Sequence, residues 1–219
     1  MLKVRRARAD EFDQVLDFYT NMIDGMRGTE FDVCWEHDVH PSSAFFLRAS
    51  ADAGEVYVGL VEDGEGATCI ASAMVLNGEG DAGYESVSWH VAAAPDEVLV
   101  VHVLGTLPAY HGRGFARAMM EACIDVARAA GKRAVRLDTF TTNVRAQSLY
   151  ESCGFANCGV AKASTTASAA PLSCTSTRCR RLRYASAAFP IDRIQDQLLS
   201  VLAGARLLSS AFLRGLRSL

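Results

Sequence analysis

Apolar and polar residues alternate over residues 2–6, the period of a short strand. Asp10 then stands where a helix N-cap would, ahead of Phe12, Val15, Leu16 and Tyr19 at helical spacing, which predicts a helix over 11–22. A second helix is predicted over 41–51, with Pro41 in the first turn, where a missing N–H costs nothing. Residues 55–61 and 67–76 are predicted strands, joined across the hairpin-like turn EDGEGA. Residues 79–95 are loop-rich and hold a short extended piece over 84–91. The near-continuous apolar run EVLVVHVLGTL over 97–107 predicts a strand covered on both faces. After a glycine-rich turn come a helix over 115–130 closed by Gly131, a strand over 134–140, and a helix over 143–152 closed by Gly154. Strand, helix, strand, helix after an antiparallel meander predicts an α/β protein with a mixed sheet.

Half of the 219 residues are apolar and 21% are charged, enough for a sizeable core and unlike a disordered, collagen-like or disulfide-dense chain. The net charge of −3 points to neither a nucleic-acid partner nor a polyacidic tail. That average conceals two compositions. Residues 1–155 carry 13 Lys and Arg against 23 Asp and Glu, whereas residues 156–219 carry nine against two. The opening MLKVRRARADEFDQ turns acidic before any apolar stretch and does not read as a signal peptide. The longest apolar stretch, over 198–213, is cut by Arg206, so no membrane association is expected. Seven cysteines, an odd number, then read as reduced thiols in a cytoplasmic protein.

The segment from Leu104 to Ala116, LGTLPAYHGRGFA, carries the most chemistry. A buried strand ends, and Gly112 and Gly114 frame Arg113 at the entry to a long helix. Such a turn aims several backbone N–H groups outward, adds the positive end of the helix dipole and supplies a cation, a combination suited to a pyrophosphate. No Lys-Ser/Thr pair follows, so it is not a Walker loop, and a tight strand-to-helix connection would look the same. A second segment decides between the two: Asn143 to Phe155, NVRAQSLYESCGF, places Asn143 and Gln147 on one helical face, with Ala146, Leu149 and Tyr150 on neighbouring ones.

Together the two segments resemble the GNAT superfamily of acetyl-CoA-dependent N-acetyltransferases. That family shows Gln or Arg, two residues, Gly, one residue, then Gly or Ala after a strand, followed about thirty residues later by N-x-x-A-x-x-L-Y-E-x-x-G-F. Gly114 and Ala116 match, as does the whole stretch from Asn143 to Phe155, while His111 stands where Gln or Arg is usual. The resemblance covers roughly residues 2–155. It implies an acyl-CoA N-acyltransferase fold: α/β, with a mixed, mostly antiparallel twisted sheet, flanking helices, and last strands lost or replaced.

The resemblance also implies roles. Leu104, Gly105 and Thr106 would offer backbone groups to the acetyl and pantetheine parts of acetyl-CoA as cosubstrate. His111, Gly112, Arg113, Gly114, Phe115 and Ala116 would cradle the pyrophosphate. Asn143 would contact the pantetheine or pyrophosphate arm, and Tyr150 would point at the thioester sulfur. A strand N–H can stabilise the oxyanion of thioester aminolysis, and a phenol with a pKa near ~10 can protonate the leaving thiolate. The acceptor, a small-molecule or peptide primary amine, must arrive neutral, so a base is required; the candidates are His102, Glu85, His90 and Asp138. By period two, His102 shares a face with Leu104 and Thr106, though a hydrogen-bonded core histidine would sit there equally well. Glu85 and His90 lie in the piece preceding the cofactor strand, and Asp138 reads as structural.

Trp35, His37 and His40 could line an acceptor pocket or merely pack. The spacing Cys153-x4-Cys158-x15-Cys174-x4-Cys179 is loose for zinc, and no metal is expected. The expected domains are an N-acetyltransferase domain over 1–158 and an Ala/Ser/Arg-rich tail over 159–219. The tail has the composition of a GC-rich gene read out of frame, and a shifted frame can encode Leu-His-Val-Tyr-Glu-Val-Pro around residues 173–180, which resembles the family's terminal strand. A frameshift near Gly159 is therefore one reading, which would leave a catalytically impaired CoA-binding protein. The other is an evolved tail with an amphipathic helix over 192–217. Exposed strand edges are compatible with a homodimer.

Overall fold

The computed structural model describes residues 1–41, 46–62, 66–80 and 83–160, together with the backbone of residues 183–185. In chain order the elements are β1 (Lys3–Arg6), α1 (Phe12–Met26), α2 (Phe46–Asp52), β2 (Val56–Glu62), β3 (Thr68–Asn77), β4 (Val98–Thr106), α3 (Phe115–Ala129), β5 (Ala134–Leu137), α4 (Val144–Ser152), β6 (Phe155–Asn157) and β7 (Arg183–Ala185). The strands form one sheet in the order β1-β2-β3-β4-β5-β7-β6. Every pairing is antiparallel except β4 with β5, which α3 connects as a parallel crossover. The α/β architecture and mixed sheet expected from the chain's periodicity are those observed.

The central strands are buried on both faces. In β2, Val56, Val58 and Leu60 join the apolar cluster of α1 and α2, while Tyr57 between them joins the cluster of α3 on the opposite face. Helix α1 buries Val15, Phe18, Tyr19, Met22, Ile23 and Met26. It runs one turn beyond the predicted end because Ile23 and Met26 continue the apolar spacing. Helix α3 presents Met119, Met120, Cys123 and Ala127 to the other face. Gly105 of β4 lies so close beneath α1 that a Cβ there would overlap the Met22 side chain.

Three local expectations change. Asp10 does not cap α1; a 3-10 turn at Ala9–Glu11 precedes the helix, and the buried Glu11 takes over the junction. Its carboxylate accepts two hydrogen bonds from Arg5 at 2.6 and 2.7 Å, one from the Arg8 N–H at 2.8 Å, and pairs with the Arg8 guanidinium at 2.9 Å. The expected extended piece over 84–91 begins instead as a 3-10 turn, Tyr84–Ser86, because Gly83 at φ 95° reverses the chain and its carbonyl accepts from the Ser86 hydroxyl at 2.7 Å. Strand β5 stops at Leu137, short of 140, because the Gln147 amide takes the carbonyls of Phe140 and Thr141 at 3.0 and 2.9 Å.

At the far edge, β7 from the tail lies between β5 and β6, pairing antiparallel with both. No alternating stretch marks these strands in the sequence, and each is three residues long. The proposed amphipathic helix over 192–217, the frameshifted stretch and the start of the second helix at 42–45 lie outside the described residues.

Arg5 lowers the Glu11 pKa to about 2 through its hydrogen bonds, assisted by the Arg8 N–H and both guanidinium charges and opposed by burial. A depressed carboxyl pKa stabilises the fold above the unfolded-state value and loses that contribution as pH falls through the folded one. Glu11→Gln is therefore expected to cost roughly 2–3 kcal/mol at pH 7. The gap from the parent chain should close between about pH 4.5 and 2 in denaturant melts taken across that range.

Candidate functional site

The site begins with an irregularity in β4. Along β3 and β4, Ala73 pairs with Gly105 but Val75 pairs with His102, so β4 carries one extra residue opposite Met74. Val103 absorbs it at φ 46°, a conformation that a β-branched residue adopts only under constraint. The constraint is visible. The fully buried Tyr19 of α1 donates its hydroxyl to the Val103 carbonyl at 3.0 Å. Ser72 of β3 donates to the Gly105 carbonyl at 2.5 Å and lies 2.9 Å from the Thr106 hydroxyl.

Pairing of β4 with β5 ends at Val101–Leu137, while β4 continues to Thr106. Residues 102–106 therefore have no ladder partner on the β5 side, and the two parallel strands open into a fork. Leu104 packs in the apolar cluster that contains Tyr150, on the α3 side of the sheet. His102 does not share its face: its ring meets Phe46 of α2 at 5.9 Å, on the side of α1. The extra residue breaks the period of two on which the expected sharing rested.

The turn after β4 is built as an anion cradle. Gly112 and Gly114 have φ of 75° and 78°, and a Cβ on either would meet nothing within 4 Å. Glycine is favoured here by backbone conformation and not by packing, since the space in front of the loop is open. Gly114 begins α3 without a side-chain cap, and the first intrahelical bond is Ala118 N–H to Gly114 carbonyl at 3.0 Å. Among the described residues, the N–H groups from Gly112 to Arg117 have no acceptor, which leaves them, with the positive end of the helix dipole, to meet an anion. This fits a pyrophosphate. His111 contributes support, donating Nε2–H to the Thr106 carbonyl at 2.8 Å and meeting the Phe31 ring, tilted against it, at 4.5 Å. Arg113 is exposed above the Tyr110 ring, which Phe115 also stacks on.

On α4, Asn143 is the N-cap, its Oδ1 accepting the Ala146 N–H at 3.1 Å. Tyr150 is buried beside Phe155, and burial, reinforced by Asp138 and Cys153, raises its phenol pKa above the ordinary value. It therefore stands as a neutral hydrogen-bond donor.

The opposite mouth of the fork is aromatic. Trp35 meets His40 at 5.7 Å, and Phe46 lies 5.9 Å from both His40 and His102. Surrounding protein pushes the His40 imidazole pKa below its ordinary value, an effect Asp138 opposes and His102 reinforces. Thus Asp138, just past β5, is electrostatically linked to both His40 and Tyr150, and it accepts from the Tyr84 hydroxyl at 3.4 Å. Glu85 lies elsewhere: it is exposed, with its carboxylate accepting the Gly83 N–H at 3.1 Å, and no contact among the described residues joins it to His102. His37 pairs with Asp24 at 2.8 Å instead of facing the fork.

Four residues around the fork escaped the sequence reading. Tyr19 looks like any core aromatic on a helix. Asn77 and Glu55 sit at strand ends where polar residues are ordinary. Ser72, a lone hydroxyl inside the apolar run CIASAMVL, was the one readable signal.

Among the described residues, no group of His, Cys, Asp and Glu is arranged to hold a metal, and no helix is long and apolar enough to cross a membrane. Cys174 and Cys179 of the loose zinc spacing lie outside them. Cys69, Cys123, Cys153 and Cys158 carry thiols, whereas Cys34 is disulfide-bonded, contrary to the expectation of uniformly reduced cysteines.

The acetyltransferase (GNAT) family model matches residues 20–155. Mycothiol acetyltransferase of Beutenbergia cavernae is 32% identical over 126 residues, 55% of this chain and 42% of that protein. N-alpha-acetyltransferase RimI of Mycobacterium tuberculosis is 36% identical over 78 residues, 36% of this chain and 47% of that protein. The chain thus spans less than half the length of these curated relatives. A GNAT-family acetyltransferase structure from Streptococcus agalactiae superimposes with a TM-score of 0.63 at 18% identity, covering 84% of this chain and 93% of that one. The structure of yncA from Salmonella typhimurium, solved with its cofactor acetyl-CoA, gives 0.51 at 15% identity, covering 91% of this chain and 99% of that one. At such identities the likeness shows the fold alone.

Tyr19→Phe removes the donor that holds the irregular strand. It is expected to lower stability by about 1–3 kcal/mol, the cost of leaving the half-buried Val103 carbonyl without its partner, as read from the urea midpoint at unchanged m-value.

Proposed function

This chain belongs to the GNAT acetyltransferase family, and from that premise we propose that it transfers the acetyl group of acetyl-CoA to a primary amine by direct attack within a ternary complex. The observation that carries the reading is the cradle of Gly112 to Arg117, whose N–H groups and glycine conformations suit a pyrophosphate, standing at the end of a strand that forks from its neighbour.

Acetyl-CoA, as cosubstrate, supplies an activated acyl carbon whose C–S bond breaks as the C–N bond to the acceptor forms, giving an amide and a free thiol. The His111–Ala116 turn binds the diphosphate, with Arg113 adding charge. Leu104, Gly105 and Thr106 line the fork with backbone groups, and an N–H there takes the negative charge developing on the acyl oxygen. Asn143, committed through Oδ1 to its helix, keeps its amide N–H groups for the pantetheine arm. Tyr150, with its pKa raised by burial while thiols ionise near ~8.5, hydrogen-bonds the departing sulfur rather than surrendering its proton. The thiolate is protonated from solvent while His102 returns the amine's proton to solvent, so the net products are the amide and the free thiol.

His102 accepts the proton released by the attacking amine. The acceptor enters along the aromatic side, past Trp35, His40 and Phe46, with Asp138 favouring a cationic amine. The two curated relatives are named for acetylation of mycothiol and of N-alpha positions, and the acceptor here falls between those classes, a small-molecule amine or a peptide N-terminus. Glu85 is a weaker candidate base, since it is exposed and bonded to its own turn.

Calorimetric titration with acetyl-CoA is expected to show micromolar binding that Gly114→Val reduces at least tenfold, because a β-branched residue is strained at φ 78° and fills the cradle. Thiol release with an amine panel should then fall about 100-fold in His102→Gln at unchanged acetyl-CoA affinity. A folded chain that does not bind acetyl-CoA would overturn the reading. Binding without turnover on any amine would favour a CoA-binding protein with an impaired acceptor side.

A further inference from the structure

We infer that Asn77 and Glu55 are positioning residues that hold the His102 imidazole with its proton on Nε2, so that Nδ1 is the nitrogen that accepts the amine's proton. The inference deepens the proposed function and rests on it.

The hydrogen bonds determine the tautomer. His102 Nε2 lies 3.0 Å from Asn77 Oδ1 and 3.0 Å from the Glu79 carbonyl oxygen. A backbone carbonyl can only accept, so Nε2 must carry the hydrogen. The Asn77 amide is oriented independently: its Oδ1 accepts the Glu79 N–H at 3.0 Å, and its Nδ2 donates to Glu55 Oε2 at 3.3 Å. Turning the amide over would set donor against donor twice and place an oxygen against a carboxylate. With the hydrogen on Nε2, Nδ1 bears the ring's lone pair, and among the described residues it has no hydrogen-bond partner.

Three neighbouring strands assemble the arrangement. Glu55 immediately precedes β2, and its carbonyl accepts the Leu76 N–H at 2.9 Å. Asn77 ends β3 opposite Val100, and His102 is the first residue of β4 beyond the ladder to β5. The sheet register therefore aims Glu55 at Asn77 and Asn77 at His102, just where the fork opens. Burial raises the Glu55 carboxyl pKa, and the Asn77 amide opposes that rise. Among the described residues, the charged and titratable groups around the imidazole are Glu55 and Glu79 from the β2 and β3 ends and His40 from the loop before α2. Arg6 acts on Glu55, and Asp138 acts on His40.

An Asn77 that only shaped the turn after β3 would affect stability alone. Nitrogen-15 NMR of the full-length protein, with kcat/KM for the best amine measured across pH, separates the cases. The parent chain should show His102 protonated on Nε2 and bare on Nδ1. Asn77→Ala removes one acceptor of Nε2–H and releases the Glu79 N–H that holds the turn carrying the other, so it should mix the tautomers and lower kcat about tenfold, with KM for acetyl-CoA within about twofold. Asn77→Asp keeps an acceptor oxygen and should restore the tautomer, while its charge stabilises imidazolium and moves the acid limb of the profile to higher pH. Glu55→Gln, a milder change should Asn77→Ala fail to fold, should keep the tautomer and move that limb to lower pH. A proton on Nδ1 in the parent chain overturns the inference, as does a folded Asn77→Ala with the parent's kcat and acid limb. A parent chain that binds acetyl-CoA yet acetylates no amine overturns the proposed function and the proton-accepting role with it. The spectrum separately upholds or overturns the placing of the proton.

Discussion

One extra residue in β4 organises the functional half of this molecule. A regular strand would pair with β5 along its whole length and present every backbone group to a ladder. The insertion at Val103 shifts the register against β3 and coincides with the end of the β5 ladder, so the last five residues of β4 face a fork. Val103 would not remain at φ 46° unaided, since a β-branched residue there costs on the order of 1–3 kcal/mol. The Tyr19 hydroxyl, the Ser72 hydroxyl and the close seat of α1 over Gly105 hold it, each contributing from a different element.

The fork separates two chemical environments. On the α3 side stand unpaired N–H groups, the helix dipole and Arg113, which together favour an anion. On the α1 side stand aromatic rings, a histidine whose pKa burial lowers, and the carboxyl group of Glu55, with Asp138 linked electrostatically to both sides. This asymmetry suits the proposed acyl transfer between an anionic donor and a basic acceptor. The central strand separates the two environments by alternating its side chains, with the insertion placing His102 on the α1 side and Leu104 on the α3 side.

Most of the element plan was legible in the chain because helix and strand periods arise from local spacing. Helix α1 ran longer than expected only where its spacing continued, and β5 ran shorter because Gln147, ten residues beyond its last strand residue, claimed the carbonyls that would have extended it. Asp10 as a cap was a sound local expectation defeated by a stronger arrangement, in which the Glu11 carboxylate gathers Arg5, Arg8 and a backbone N–H into one buried junction. The tail strand β7 was illegible for another reason. Three residues are too few to show a period, and their place is set by the open edges of β5 and β6.

What the sequence determined by itself was the order of elements, the glycine turn and the motif of α4. Each depends on residues within a few positions of one another, where backbone sterics and capping chemistry act directly. Only the tertiary structure decided which face His102 occupies, which of its nitrogens holds the proton, and that Tyr19, Asn77 and Glu55 belong to the site at all. Those outcomes depend on register between strands and on residues 22 to 84 positions apart. A shift of one residue inverts a strand's faces, and nothing in the local spacing of β4 records that the shift has occurred.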